Sequence, residues 1–174
     1  DTLKIPLDEL EIVVFDIETT GFNPEQGADI ISIGAIKMVG STVQEDEIFY
    51  SLIYSEKEIP SNIVALTGIT NEHLKEARLV GDVIIEFLQF AKDCTLVAHH
   101  ANHERSFMQY ASTNIFRTPF KHRIVDTSFL YKIAEPNIQL SSLEELCEHN
   151  GVPIVGRHHA LEDAKMTAKL WSIY

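Results

Sequence analysis

Cysteine is scarce and long hydrophobic runs are absent in this chain of 174 residues. The two cysteines, Cys94 and Cys147, lie far apart and form neither a CxxC pair nor a zinc-binding spacing. Thiols without such a pattern favour a reduced, cytoplasmic setting, in which both pack as small hydrophobic side chains. No apolar run approaches the roughly 18 residues of a transmembrane helix, so we expect no membrane-spanning segment.

The chain also has few basic residues. The chain has 14 Lys and Arg against 26 Asp and Glu, which gives a formal net charge of −12. A protein of this charge does not hold nucleic acid by its average field, so a polyanionic substrate needs a local basic patch or bound cations. Residues 99–123 offer one such patch, because the only acid among them, Glu104, stands against four basic residues: Arg105, Arg117, Lys121 and Arg123. A solvated helix face is the equally weighted alternative.

The rest of the composition is that of an ordinary globular domain. Hydrophobic residues make up 45% and charged residues 23%, and the chain contains no repeat, low-complexity tract or Pro/Gly/Ser-rich linker. A chain of this length buries roughly 70% of the surface that its unfolded form exposes, which is enough for a core without disulfides. We therefore expect a single domain over residues 1–174. The chain begins with Asp1 rather than Met, which suggests trimming from a longer protein.

Hydrophobic periodicity predicts a mixed α/β domain. Apolar and β-branched segments indicate a three-stranded meander followed by two more strands that alternate with helices. The predicted strands cover residues 12–15, 30–39, 47–54, 95–98 and 123–125. Predicted helices cover 63–66 (ending at Gly68), 80–91, segments after Asn102 and Asp126, 142–150, and a last helix from 160. Asn102 and Ser142 are expected to cap the helices that they precede.

Two carboxylates stand at the end of the first predicted strand. Asp16 and Glu18 lie two residues apart after a purely apolar run, and alternate strand residues share a face. Like charges held side by side repel each other unless a cation lies between them, and hard oxygen ligands suit Mg²⁺ or Mn²⁺. Two solvated loop residues are the alternative. A haloacid-dehalogenase-type phosphatase is a distant alternative interpretation, because the second acid in that family's motif is Asp, whereas this chain has Glu18.

A histidine and an aspartate precede and begin the last helix. His158 lies on the loop that leads to the helix, and Asp163 falls in its first turn. A metal-binding aspartate beside a neutral histidine makes a plausible general base for water. The alternative is a polar loop, with acidic residues stabilised by the helix dipole at about 0.3–1 kcal/mol each.

These motifs resemble those of the DEDD exonucleases, in the branch that carries a histidine. Residues 15–21 resemble the first motif, 96–101 the start of the second and 158–164 the third, and 66–70 match a segment common in the family. That branch includes the proofreading subunits and domains of bacterial replicative polymerases. The resemblance implies an RNase-H-like fold, a mixed five-stranded sheet flanked by helices. One departure stands out: Glu104 stands where the family has an aspartate as the third of its four carboxylates, and His103 replaces an apolar ring.

The resemblance also implies an activity and a set of site residues. The activity is metal-dependent 3′–5′ exonucleolysis of single-stranded DNA or RNA 3′ ends with two ions, Mg²⁺ or Mn²⁺, and a polymerase or other fused domain as a further partner. His158 is the expected general base, and the expected metal ligands are Asp16 (bridging), Glu18, Asp163 and, through water, Glu104. Substrate contacts are expected from Thr19, Thr20, Gly21, Phe22, Leu66 and His100. The competing class is a non-catalytic module of the same fold, favoured only by Glu104 and His103.

Overall fold

The fold is built on one five-stranded sheet. The structure, a computed structural model, describes residues 6, 8–137, 139 and 142–173. The strand order across the sheet is β3-β2-β1-β4-β5. The strands are β1 (Glu11–Thr19), β2 (Ile30–Val39), β3 (Thr42–Leu52), β4 (Thr95–Ala98) and β5 (Ile124–Asp126).

Seven α-helices accompany the sheet in the described part of the chain. They are α1 (Ser61–Thr67), α2 (Asn71–Leu74), α3 (Val80–Ala91), α4 (Asn102–Ala111), α5 (Thr127–Ala134), α6 (Leu143–Asn150) and α7 (Ala160–Ile173). A short 3-10 turn covers Pro24–Gln26, and a π-helical segment, Ser112–Phe116, continues α4. No helix among the described residues is long and apolar enough to cross a membrane.

The topology confirms the predicted mixed sheet. Strands β1, β2 and β3 form an antiparallel meander, whereas β4 pairs parallel with both β1 and β5. Two strands are longer than predicted. Strand β1 continues through Thr19, because Asp16 and Glu18 keep pairing with Gly34 and Ser32 of β2. Strand β3 begins at Thr42 rather than residue 47, because a tight turn with positive φ at Gly40 lets pairing start at once.

The predicted capping role of Asn102 is wrong. Helix α4 begins at Asn102 itself, and no side chain caps its first turn. The Asn102 side chain instead accepts a hydrogen bond from Arg105. The carboxylate of Asp126 accepts the backbone N–H groups of His100 and Ala101 just before the helix. Asp126, at the end of β5, thus satisfies two backbone donors that precede the helix, and the first turn of α4 has no side-chain cap.

Buried side chains cover both faces of the sheet. On one face, Phe15 and Ile17 pack with residues of α3 and α4, among them Phe87 and Phe107. On the other face, Val14 of β1 packs with Ala168 of α7 and with a smaller set of buried residues. Both cysteines are free and buried, which confirms their predicted packing as small hydrophobic side chains. The first predicted helix also ends at Gly68 as expected.

The contact between α7 and the sheet depends on Gly34. A Cβ atom at this position would lie 2.2 Å from the backbone nitrogen of Leu161 at the start of α7. Gly34 pairs with Asp16 across the β1–β2 ladder. The absence of a side chain therefore lets the first turn of α7 rest directly beside the strand position of Asp16.

We expect Gly34→Ala to separate these two elements. Overpacking of this kind costs about 1–3 kcal/mol of unfolding free energy, and a displacement of about 1 Å at a reacting site costs about 10²-fold in rate. The matched control is Gly81→Ala, whose new Cβ would meet only an ordinary contact at 3.5 Å. Thermal melts and nuclease rates of the two variants check the expectation. Parental stability of Gly34→Ala would contradict it.

Candidate active site

Strand β1 carries the first two acidic side chains to the face of the sheet that α7 covers. Phe15 and Ile17 point into the core on the opposite face. Because side chains alternate along a strand, Asp16 and Glu18 share the α7 face with Val14. The sequence therefore predicted their common orientation correctly. Glu18 is 9% exposed, and Asp16 remains open to the cleft described below.

The loop before α7 folds back onto the first turn of that helix. His158 adopts a left-handed backbone conformation with φ of 65°, which directs its N–H toward Asp163. This N–H lies 3.3 Å from Oδ1 and 3.2 Å from Oδ2 of the carboxylate. One ligand atom from each of Glu18, His158 and Asp163 lies within 4.8 Å of the others. The loop thus brings a histidine and two acids from distant parts of the chain together.

Helix α4 adds the fourth acid. Glu104 is only 2% exposed, and its Oε2 atom has no hydrogen-bond partner among the described residues. The preceding residue, His103, holds the helix against the end of β1, because its Nε2 atom lies 3.1 Å from the Thr19 hydroxyl. The His103 ring also contacts Phe107 and Phe22 edge to face. His103 therefore packs as a ring against two phenylalanines and also makes a polar contact with β1.

Burial shifts the acid–base equilibria of the whole cluster. Burial, followed by the charge of Asp163, raises the pKa of Asp16 to about 8. Burial and the Asp16 charge raise the pKa of Glu18 to about 9, and the same two causes raise the pKa of Glu104 well above its ordinary value. Burial also raises the pKa of Asp163, although the Arg157 guanidinium opposes the shift. Without a cation, these carboxyls resist sharing a site as anions.

The pKa of His158 is shifted in the opposite direction. Burial, followed by the charge of Arg157, lowers the pKa of the His158 imidazole. The ring is therefore neutral at physiological pH and able to accept a proton. Its neighbour His159 does not line the cleft; it stacks on Tyr50, with ring centroids 4.6 Å apart.

The donor set fits divalent cations. A buried carboxylate oxygen without a partner, on Glu104, is costly in a folded protein unless an ion or water satisfies it. Burial raises the pKa of all four carboxyls, and neighbouring acids raise the pKa values of Asp16, Glu18 and Glu104 further. Binding of a cation would favour their charged forms and release protons. Oxygen ligands without thiolates are those that Mg²⁺ and Mn²⁺ prefer. Among this chain's residues, Asp16, Glu18, Glu104 and Asp163 could hold such ions.

These side chains line one open cleft of about 470 Å³. Two of the predicted substrate residues lie in its wall, Phe22 and His100, and Phe22 is 93% exposed. The other four do not line it. Thr19 donates to the Gly21 carbonyl, and Thr20 accepts from the Asp29 N–H. Leu66 lies on α1 and is 49% exposed.

Sequence reasoning missed the basic residue of the cleft. Arg157 is the one Lys or Arg in the cleft wall within the described ranges. None of the basic residues in the 99–123 window lines the cleft, and Arg105 instead donates to the Ile124 carbonyl. The sequence offered one signal that could have identified Arg157, namely its position immediately before His158.

Three comparisons relate this chain to known proteins. The family model for Exonuclease (RNase_T) matches residues 13–171. The chain is 36% identical over 163 residues to DNA polymerase III PolC-type of Caldanaerobacter subterraneus subsp. tengcongensis, covering 94% of this chain but only 11% of that protein. It is 33% identical over 171 residues to DNA polymerase III subunit epsilon of Rickettsia typhi, covering 95% of this chain and 74% of that protein.

Solved structures share the fold. Cell-death related nuclease 4 superimposes with a TM-score of 0.83 at 18% identity, over 97% of this chain and 65% of that one. The nuclease domain of 3′hExo, a DEDDh family member bound to rAMP, gives 0.79 at 19% identity, over 94% and 90% of the two chains. These neighbours confirm the predicted RNase-H-like sheet. Together with the match from residue 13 to 171, the epsilon relative shows that this chain belongs to the RNase T-type exonuclease family.

Proposed function

We propose that this chain is a metal-dependent 3′–5′ exonuclease that releases nucleoside 5′-monophosphates from single-stranded ends. One observation carries the proposal: four acidic side chains from β1, α4 and α7 converge with His158 in a single open cleft. Three of the four, Glu18, Glu104 and Asp163, are at most 9% exposed. Burying this many acids costs stability, which is typical of a site selected for chemistry.

The proposed reaction is attack of water on the terminal phosphodiester. Asp16, Glu18, Glu104 and Asp163 would hold the cations, which supply charge stabilisation at the phosphate and a lower pKa for bound water. His158 accepts the proton of the attacking water. Its lowered pKa keeps the imidazole neutral, and the ring lies beside Glu18 and Asp163, so it suits this role. The bond to the upstream 3′ oxygen breaks, so the terminal nucleotide leaves with its 5′-phosphate.

The proposed substrate is a single strand of either DNA or RNA. Phe22 offers a nearly fully exposed ring at the rim of the cleft, and stacking on such a ring tolerates any base. The solved relatives include exonuclease I of E. coli in complex with a dT13 oligonucleotide and a 3′-exonuclease that recognises a histone mRNA stem-loop. Since PolC-type relatives carry the matched region within much longer chains, a polymerase is the proposed partner.

Strand polarity tests the proposal. A 5′-labelled single-stranded oligonucleotide incubated with Mn²⁺ should shorten one nucleotide at a time, and 5′-mononucleotides should accumulate. The matched control is a covalently closed single-stranded circle, which has no 3′ end and should stay intact. Cleavage of the circle, or loss of the 5′ label as the first product, would contradict the proposal. Binding of the oligonucleotide without hydrolysis would favour the non-catalytic alternative.

Glu104 is the residue at which this chain departs from the motif that the resemblance implies, and it supports a further prediction. We expect Glu104→Ala and Glu104→Gln to lose most activity, because the site requires a charged oxygen ligand. We expect Glu104→Asp to be slower than the parent as well, because the contact of His103 with Thr19 holds α4 against β1 and the shorter side chain would not reach as far. Rates of the three variants on one substrate at saturating Mn²⁺ check this. Parental rates in all three would remove Glu104 from the mechanism.

A further inference from the structure

The Arg157 side chain joins one acid of the cluster to an acid outside it. Its Nη1 donates to Oδ2 of Asp163 at 2.5 Å, and its Nε donates to Oε1 of Glu144 at 2.6 Å. The Arg157 side chain is 22% exposed and that of Asp163 only 5%. Glu144 lies in the first turn of α6 and Asp163 in the first turn of α7. One guanidinium thus forms ion pairs both with Asp163, a candidate metal ligand, and with Glu144 on the neighbouring helix.

This arrangement places a fixed positive charge where a cation is expected. The guanidinium already contacts one carboxylate oxygen of Asp163, and it is the one Lys or Arg side chain in the described wall of the cleft. Like charges at short range in a partly buried site repel each other strongly. Any divalent ion held by Asp163 therefore meets a competitor that belongs to the chain itself.

Glu144 moderates this competition. It is more exposed than Asp163, and it does not line the cleft. Its carboxylate therefore offsets part of the guanidinium charge without being a candidate ligand. Removing Glu144 leaves the positive charge of Arg157 uncompensated beside the metal ligands, whereas removing Arg157 leaves a negative charge nearby.

We infer that Arg157 is a positioning residue that competes with the divalent cation for Asp163, and that Glu144 sets the strength of this competition. The inference rests on the proposed metal centre. It predicts that removing Arg157 and removing Glu144 change the Mn²⁺ affinity in opposite directions. A pair that only tethers α6 to α7 would give both partners the same effect on stability, and no opposite effects on cation affinity.

Mn²⁺ binding without nucleic acid tests the inference, with free Mn²⁺ followed by electron paramagnetic resonance at fixed pH and ionic strength. Outer-shell partners of a metal site commonly change affinity about 10–100-fold. We expect Arg157→Gln to bind Mn²⁺ about 10-fold more tightly, Glu144→Gln to bind it more weakly, and the double variant to return toward the parent. Arg157→Lys, which keeps the charge, should stay near the parent.

The matched control is a second Arg–Glu pair, which lies outside the cleft wall. Arg78 and Glu86 form an ion pair, and neither lines the cleft. Arg78→Gln and Glu86→Gln make the same charge changes and should leave Mn²⁺ affinity unchanged. Melting curves establish that each variant is folded, and Glu144→Gln alone decides the sign if Arg157→Gln does not fold.

The outcomes separate this inference from the proposed function. Opposite shifts at Arg157 and Glu144, absent at Arg78 and Glu86, support it. Weaker binding by Arg157→Gln, or shifts of the same sign at both partners, overturn it while leaving the metal centre intact. A parent protein that binds no Mn²⁺ overturns the proposed metal centre and the inference together.

Discussion

Asp16→Asn is expected to reduce exonuclease turnover by at least about 10²–10³-fold, because removing a single electrostatic group from a reacting centre costs that much. The side chain lies at the centre of the cluster, where it influences the pKa values of both Glu18 and Glu104. An amide keeps the shape of the side chain but removes the charge that a cation requires. Rates at saturating Mn²⁺ measure the effect.

The same substitution should leave the fold intact. Burial and the Asp163 charge raise the pKa of Asp16, so the metal-free site favours a neutral side chain. A neutral amide should therefore not lower the melting temperature without metal. Asp163→Asn should be as inactive yet less stable by about 1–3 kcal/mol, because it weakens the hydrogen bond to Arg157. Asp46→Asn on exposed β3 is the control for charge. Near-parental rates of Asp16→Asn with an unchanged melting temperature would remove it from the site.

His158→Ala is expected to lower kcat by about 10²–10⁴-fold, the usual contribution of a general base. The imidazole lies with Glu18 and Asp163 in one cluster, and its lowered pKa keeps it neutral. Because His158 is not proposed as a ligand, Mn²⁺ affinity should persist in this variant. A kcat measured over a range of pH should also lose the ascending limb that titration of the base produces in the parent.

His159→Ala is the matched control for this prediction. Its ring stacks on Tyr50, its Nδ1 is buried without a partner in the described part of the chain, and it does not line the cleft. We therefore expect a loss of stability with little change in kcat. The reverse ranking of the two histidines would show that the wrong one has been assigned.

Local sequence predicted the parts of the site that depend on local geometry. Alternation along β1 fixes the common face of Asp16 and Glu18, and the first turn of α7 fixes Asp163 relative to the loop that carries His158. Glu104 could be predicted from its position after a buried strand. Periodicity predicted a mixed sheet with helices, and the resemblance of these motifs to the DEDD exonucleases implied the RNase-H-like fold.

Contacts between distant elements could not be predicted in the same way. Arg157 reaches Glu144 of α6 only because the loop before α7 folds back. Arg105, Arg117, Lys121 and Arg123 do not line the cleft, and Leu66 lies on α1, outside its wall. Spacing along the chain contains no information about such placements, since they depend on how whole helices pack.

The metal dependence of hydrolysis tests the central claim, that the four acids of the cleft hold the ions that catalysis requires. The measurement is the rate of shortening of a 5′-labelled single strand in EDTA, and again after Mg²⁺ or Mn²⁺ is restored in excess. We predict no detectable hydrolysis in EDTA and full recovery with either metal, in the parent but not in Asp16→Asn. Undiminished nuclease activity in EDTA would contradict the account.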